Sequence, residues 1–240
     1  ALAVLVLLVL SSSASADQGQ GRYQVNLPLT RTATTVIAPC DGATKDQADY
    51  VVPCAGAQGV VSTALASGGL TFLQHGGYNT DAPIVMSASY QTLAGEGRTA
   101  TTINSAGAWA IQVLRSGGEY IEDGGIRDLR IEANGKGGIY YGKSISAFVT
   151  ERVRIYGIGT TGIYAESGAY AGGATMYSSW RDISLTGNLT PGSIGFMGYG
   201  NFNAVSLDRV TAGSLDTGFK FIGAAAIKLN NPSAESGRIG

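Results

Sequence analysis

The 240-residue chain carries 16 Lys and Arg against 17 Asp and Glu, a formal net charge of -1, and only 14% of its residues are charged. A balance this neutral excludes the basic footprint on which nucleic-acid binding rests. Its 36 Gly and 12 Tyr, with so little charge, argue against a helical cytosolic enzyme and suit a turn-rich β-protein made for export.

Residues 1–16, ALAVLVLLVLSSSASA, join an apolar run of ten residues to small polar ones. They end on Ala14-Ser15-Ala16, the form of a signal-peptidase site. The run is shorter than the about 20 residues that span a bilayer. We read 1–16 as a signal peptide without its basic n-region, an uncleaved membrane anchor being the alternative. The mature protein is then secreted or periplasmic and free of the membrane. Residues 17–35 have no clear period and read as a linker or extended arm. Cys40 and Cys54 lie fourteen apart in loop-like sequence, where an exported chain can form a disulfide. Two buried free thiols are the alternative. A Cys-based metal site is not expected, because there is no C-x-x-C and His75 is the sole histidine.

In residues 56–66, GAQGVVSTALA, Val60, Val61, Ala64 and Leu65 form one apolar helical stripe that Gly68-Gly69 would end. After it, short β-prone pieces alternate with Gly, Ser and Asn turns. One phrase recurs as AIQV (110–113), GIYY (138–141), GIYA (162–165), SIGF (193–196) and GFKF (218–221). Its first column is Ile111, Ile139, Ile163, Ile194 and Phe219, at steps of 28, 24, 31 and 25. A second phrase follows each of these: IRDLRI, TERVRI, WRDISL, LDRVTA and, more weakly, LNNPSA. Its steps, from Leu129 through Val153 and Ile183 to Val210, are 24, 30 and 27. Two phrases sharing one irregular period indicate a solenoid, and several short strands per turn without a helix select a parallel β-helix. A β-sandwich, the alternative, would not keep such columns in phase. The variable step places insertions at one turn of each coil.

The stretch from ADYVV (48–52) through the helix, Gly76-Gly77-Tyr78, the apolar strand Pro83 to Met86 and the turn Leu93 to Gly97 resembles the pectate-lyase-like superfamily. The likeness covers about residues 36–240. It implies an all-β, right-handed, single-stranded parallel β-helix with Val60–Leu65 capping its first coil. The C-terminal SAESGRIG has no cap, so we expect the domain to continue beyond Gly240. The superfamily holds lyases, hydrolases, tailspikes and adhesins, so the resemblance is specific for fold and weak for activity. Ca²⁺ is implied by the resemblance alone, and no cofactor is evident in the residues themselves.

If 111/113, 139/141, 163/165, 194/196 and 219/221 point inward, then Gln112, Tyr140, Tyr164, Gly195 and Lys220 face outward. That face carries no carboxylate pair. Tyr140 and Tyr164 side by side suggest a platform for sugar rings, with Gln112 and Lys220 as further binding residues; tyrosines merely covering the sheet are the alternative. Glu166 with Lys143 is the acid–base candidate beside it. Glu122 with Asp123 is a carboxylate pair, read as a solvated loop, and His75 reads as a turn residue. Asn188-Leu189-Thr190 is a glycosylation sequon. The expected function is engagement of a polysaccharide or cell-surface glycan, as a lyase or hydrolase relative or as a binding module. A non-catalytic structural or adhesive surface protein is the alternative.

Adjacent charges in the second phrase align into two columns. One runs Arg127, Glu151, Arg181, Asp208 and Asn230; the other runs Asp128, Arg152, Asp182, Arg209 and Asn231. Signs alternate along each column and oppose across them, which makes neighbouring contacts favourable. We read them as a structural charge ladder at a coil corner.

Overall fold

The structure is a computed structural model that describes residues 34–42, 45–114, 120–142, 144–167, 174–223 and 226–235. Residues 1–16, expected to be a signal peptide, nearly all of 17–35, expected to be a linker or arm, and Lys143 lie outside the described residues.

Every strand pairing is parallel, and the strands stack into three sheets. The largest has twelve strands and includes Gly125–Glu132, Val149–Ile158, Ser179–Gly187 and Val205–Gly213. The second has six: Ile84–Met86, Trp109–Val113, Gly137–Tyr141, Thr161–Glu166, Ile194–Tyr199 and Thr217–Ile222. The third has four two-residue strands, Ile121–Glu122, Ile145–Ser146, Thr175–Met176 and Phe202–Asn203. Four successive turns visit all three sheets, so the fold is a parallel β-solenoid. Among the described residues, its one α-helix is Gln58–Ala66. Val61, Ala64 and Leu65 are its buried face, packed on the strands Gly69–Leu73, Ile84–Met86 and Gln91–Gly95. Gln91 donates from Nε2 to the Leu65 carbonyl, which also accepts from the Gly68 N–H at the end of the helix. Cys40 and Cys54 form a disulfide that ties together the ends of the paired strands Thr35–Ala38 and Tyr50–Val51.

Two sharp corners recur, each turned by a single residue in the left-handed region. Asp123, Ala147, Tyr177 and Ala204 turn the first, at φ of 52°, 51°, 50° and 52°. Asp128, Arg152, Asp182 and Arg209 turn the second, at 57°, 52°, 55° and 51°. The two are always five positions apart. A non-glycine residue there costs about 1 kcal/mol or more, so the surrounding ladder must impose it. In the earlier coils the second corner is a longer break, between Gly69–Leu73 and Gly76–Thr80 and between Gln91–Gly95 and Thr101–Ser105.

Inside the solenoid, side chains stack by register. Ile126, Thr150, Trp180 and Leu207 form one column. Trp180 meets Tyr141 and Phe196 edge-on, at centroid distances of 5.6 and 5.2 Å. Burial pushes the Tyr141 hydroxyl above its ordinary value, and it is hydrogen-bonded to Thr150. At the last described coil this covering thins: Phe219, Phe221 and Ile227 are half-buried and Leu229 is 46% exposed.

One expected register is corrected. Phe196, not Ile194, aligns with Ile163 and Phe219, while Ile194 pairs with Thr161 and Thr217. Gly195 therefore does not face outward. It belongs to an inward column of small residues, Ala110, Gly138, Gly162, Gly195 and Gly218, where two consecutive positions turn into the core. Met197 takes the outward place between Tyr164 and Lys220.

Candidate functional site

The outer face of the six-stranded sheet has three columns. The middle one runs Val85, Gln112, Tyr140, Tyr164, Met197 and Lys220. Gln112, Tyr140 and Tyr164 are thus neighbours, whereas Lys220 sits two strands beyond Tyr164. A second column runs Glu166, Tyr199 and Ile222, with Glu166 beside Tyr199. The third holds Trp109 beside Gly137.

Trp109 was not legible as part of a platform, yet it completes one. A Cβ at position 137 would fall 2.4, 2.6 and 2.9 Å from three atoms of its indole, so the ring lies directly over Gly137. From there it meets Tyr140 at 5.5 Å and Tyr164 at 6.3 Å between centroids, tilted by 31° and 30°. Tyr140 and Tyr164 are 5.6 Å apart at 45°. Leu114 fills the space over Gly142 in the same manner, and a Cβ at that position would also lie 3.3 Å from the Tyr140 ring. The glycine facing Trp109 in the next coil is the sequence signal that marks this arrangement.

The Tyr140 hydroxyl donates to a Glu166 carboxylate oxygen. Burial first, then this hydrogen bond and the charges of Glu166 and Tyr164, push the Tyr140 hydroxyl well above its ordinary value. Tyr164 is raised too, by burial and then by the charges of Glu166 and Tyr199. Both hydroxyls therefore remain protonated donors at neutral pH. Glu166 is the one carboxylate among the described residues in these columns, and Lys143, its expected acid–base partner, lies outside the described residues. Among the described residues no group of three or more His, Cys, Asp or Glu could hold a metal ion. The Ca²⁺ implied by family resemblance finds no matching donor set among those residues. Glu122 is exposed, Asp123 turns a corner, and His75 faces Glu96 at 3.6 Å.

The charged columns lie elsewhere, along the second corner. Arg127, Glu151, Arg181, Asp208 and Asn230 are in register on successive strands. Arg152 donates to both oxygens of Asp128, at 2.6 and 2.8 Å, and pairs with Glu151 at 2.9 Å. Arg209 does the same to Asp182, at 2.6 and 2.9 Å, and pairs with Asp208 at 2.7 Å. Arg181 approaches Glu151 at 3.7 Å. Exposed pairs are worth about 0–1 kcal/mol each, but these hold corner residues that the backbone alone disfavours. We expect Arg152→Glu to lower the melting temperature by about 2 °C, and Asp128→Arg added to it to restore part of the loss. An unrestored double variant would count against the pairing.

Hydrogen bonds from Arg209 are the largest influence on the Asp182 carboxyl; burial opposes them, and the charges of Arg209, Arg152 and Arg98 add to them, so the carboxyl lies below its ordinary 3.8. A carboxyl lowered by folding stabilises above its unfolded value and loses that contribution as pH falls through the folded one. Thermal melts should therefore fall more steeply below pH 3.8 for the wild type than for Asp182→Asn.

No protein-family model and no curated protein sequence matches the chain. Among solved structures it is similar to "Geobacillus virus E2 - ORF18", with a TM-score of 0.61 and 17% sequence identity, over 75% of this chain. The chain spans only 39% of that protein's length. At this identity the likeness speaks to the fold alone.

Proposed function

We propose that this β-solenoid is an exported polysaccharide-binding protein, a relative of the pectate-lyase-like β-helices, that holds a glycan on the outer face of its six-stranded sheet. The observation that carries this reading is the cluster of Trp109, Tyr140 and Tyr164, with Trp109 laid over Gly137. Sugar rings present apolar C–H faces and a rim of hydroxyls. Tilted, half-buried aromatic rings cover the first, and Gln112, Glu166 and the tyrosine hydroxyls serve the second. The Cys40–Cys54 disulfide supports an oxidising compartment.

Binding is favoured over hydrolysis because a glycosidase needs two carboxylates at a set separation. Glu166 stands without a second one in the described columns of this face. Removing the indole should cost roughly 1–2 kcal/mol of apolar contact, about tenfold in affinity. Trp109→Ala and Tyr164→Ala should each weaken retardation in polysaccharide-containing gels by that factor while the melting temperature holds. Unchanged retardation across a polysaccharide panel would leave the structural or adhesive spacer as the better reading. Release of reducing ends or unsaturated uronates would instead make it an enzyme.

A further inference from the structure

The largest sheet bears a second arrangement, on its stretch beyond the second corner. Register places Thr102, Arg130, Arg154, Ser184 and Thr211 in one outward column. Arg130 and Arg154 are thus like charges directly paired on strands about 4.8 Å apart, an order that repels. The corner columns of the same coils alternate in sign, so the like pair here is a departure. Arg130 is neutralised by an ion pair with Glu132. Arg154 has no ion-pair partner among the described residues. The Tyr156 ring lies against both guanidiniums, at 5.4 Å from Arg130 and 5.9 Å from Arg154. That contact holds the two cations in place without cancelling their charge. The Nε atoms of both are buried and make no hydrogen bond; a terminal nitrogen of Arg130 is taken by Glu132, which makes Arg154 the one to meet a ligand. On the far side of Arg154 the next residue is Ser184, short and able to donate.

We propose that Arg154, with Arg130, Ser184 and the exposed Tyr156, binds an oxyanion: a sulfate or carboxylate group, free or borne on a sugar. A planar guanidinium presents two parallel N–H donors to such a group. A sugar bearing the anion would rest on Tyr156, which is 39% exposed. The site is independent of the aromatic platform, which occupies another sheet.

The test is a titration of the full chain with sodium sulfate, sodium glucuronate and glucose at constant ionic strength, followed by the ring resonances of Tyr156. Sulfate and glucuronate should give saturable shifts and glucose none. A response to glucuronate well below the concentration needed for sulfate assigns the sugar-borne anion, and equal responses assign the free one. Loss of a charged hydrogen-bonding partner should weaken binding about tenfold or more in Arg154→Gln. Arg154→Lys, which keeps the charge without the fork, should fall between. Glu132→Gln releases Arg130 and should tighten binding, which a purely structural Arg154 would not produce. Arg209→Gln, at the corner, should leave it unchanged. Non-saturable shifts, wild-type affinity in Arg154→Gln, or an equal loss in Arg209→Gln would overturn the proposal.

Discussion

Trp180→Ala is expected to lower unfolding free energy by about 3–5 kcal/mol, the largest loss from any single truncation in this core. Trp180 is 1% exposed and is the largest fully buried side chain. It stands between Tyr141 and Phe196, edge-on to both, with Thr150 and Leu207 above and below in register. Parallel ladders hold these neighbours at fixed rise, so the walls of the cavity have little room to close. Coupling between adjacent coils spreads the damage along the solenoid. Equilibrium denaturation would measure it, and Trp109 would remain as the only indole reporter, since the chain has two Trp. Trp180→Phe should lose distinctly less. A loss under about 1 kcal/mol in the alanine variant would mean that the core repacks freely.

A single methyl added at Gly138 should cost about 1–3 kcal/mol. Its Cβ would lie 2.4 Å from the carbonyl oxygen of Gly162 and 2.7 and 2.8 Å from Ile155. The same contact repeats along the stack: from Gly162 to the Gly195 carbonyl at 2.7 Å and from Gly195 to that of Gly218 at 2.5 Å. The column accepts Ala110 at its head, so the penalty is set by the approach at each rung. Gly59 supplies the contrast, since it lies in the helix with nothing within 4 Å of its missing Cβ. Gly59→Ala should stabilise by about 0.5–1 kcal/mol. Calorimetric melts of the two variants should shift in opposite directions. A shift of one sign in both would remove the steric account.

What could be read beforehand follows from how this fold repeats. Apolar columns at an irregular step identify a solenoid because only stacked coils keep them in phase, and of the helix stripe Val60, Val61, Ala64 and Leu65 the last three are buried and Val60 partly so. The slip at SIGF has a physical cause: Ile194 and Phe196 are both apolar and two apart, so alternation cannot choose between them. The glycine before the inward residue does choose, since Gly195-Phe196 matches Gly218-Phe219. Trp109 escaped because its partner is an absent side chain, Gly137. Arg130 and Arg154 stood in plain sight inside the second phrase, but their meaning depends on which charges reach them. That depends on side-chain reach across strands, which a one-dimensional pattern does not contain.

The five-residue interval between the two left-handed corners is the same in four successive coils: Asp123 to Asp128, Ala147 to Arg152, Tyr177 to Asp182 and Ala204 to Arg209. Length varies elsewhere, chiefly between the platform strands and the first corner, as from Val113 to Ile121 against Tyr141 to Ile145. The coil thus has a rigid half and an elastic half, and the elastic half empties beside Glu166, Tyr199 and the aromatic rings. New loops can be grafted at that edge to reshape what the platform meets, while the rigid half keeps time for the whole stack.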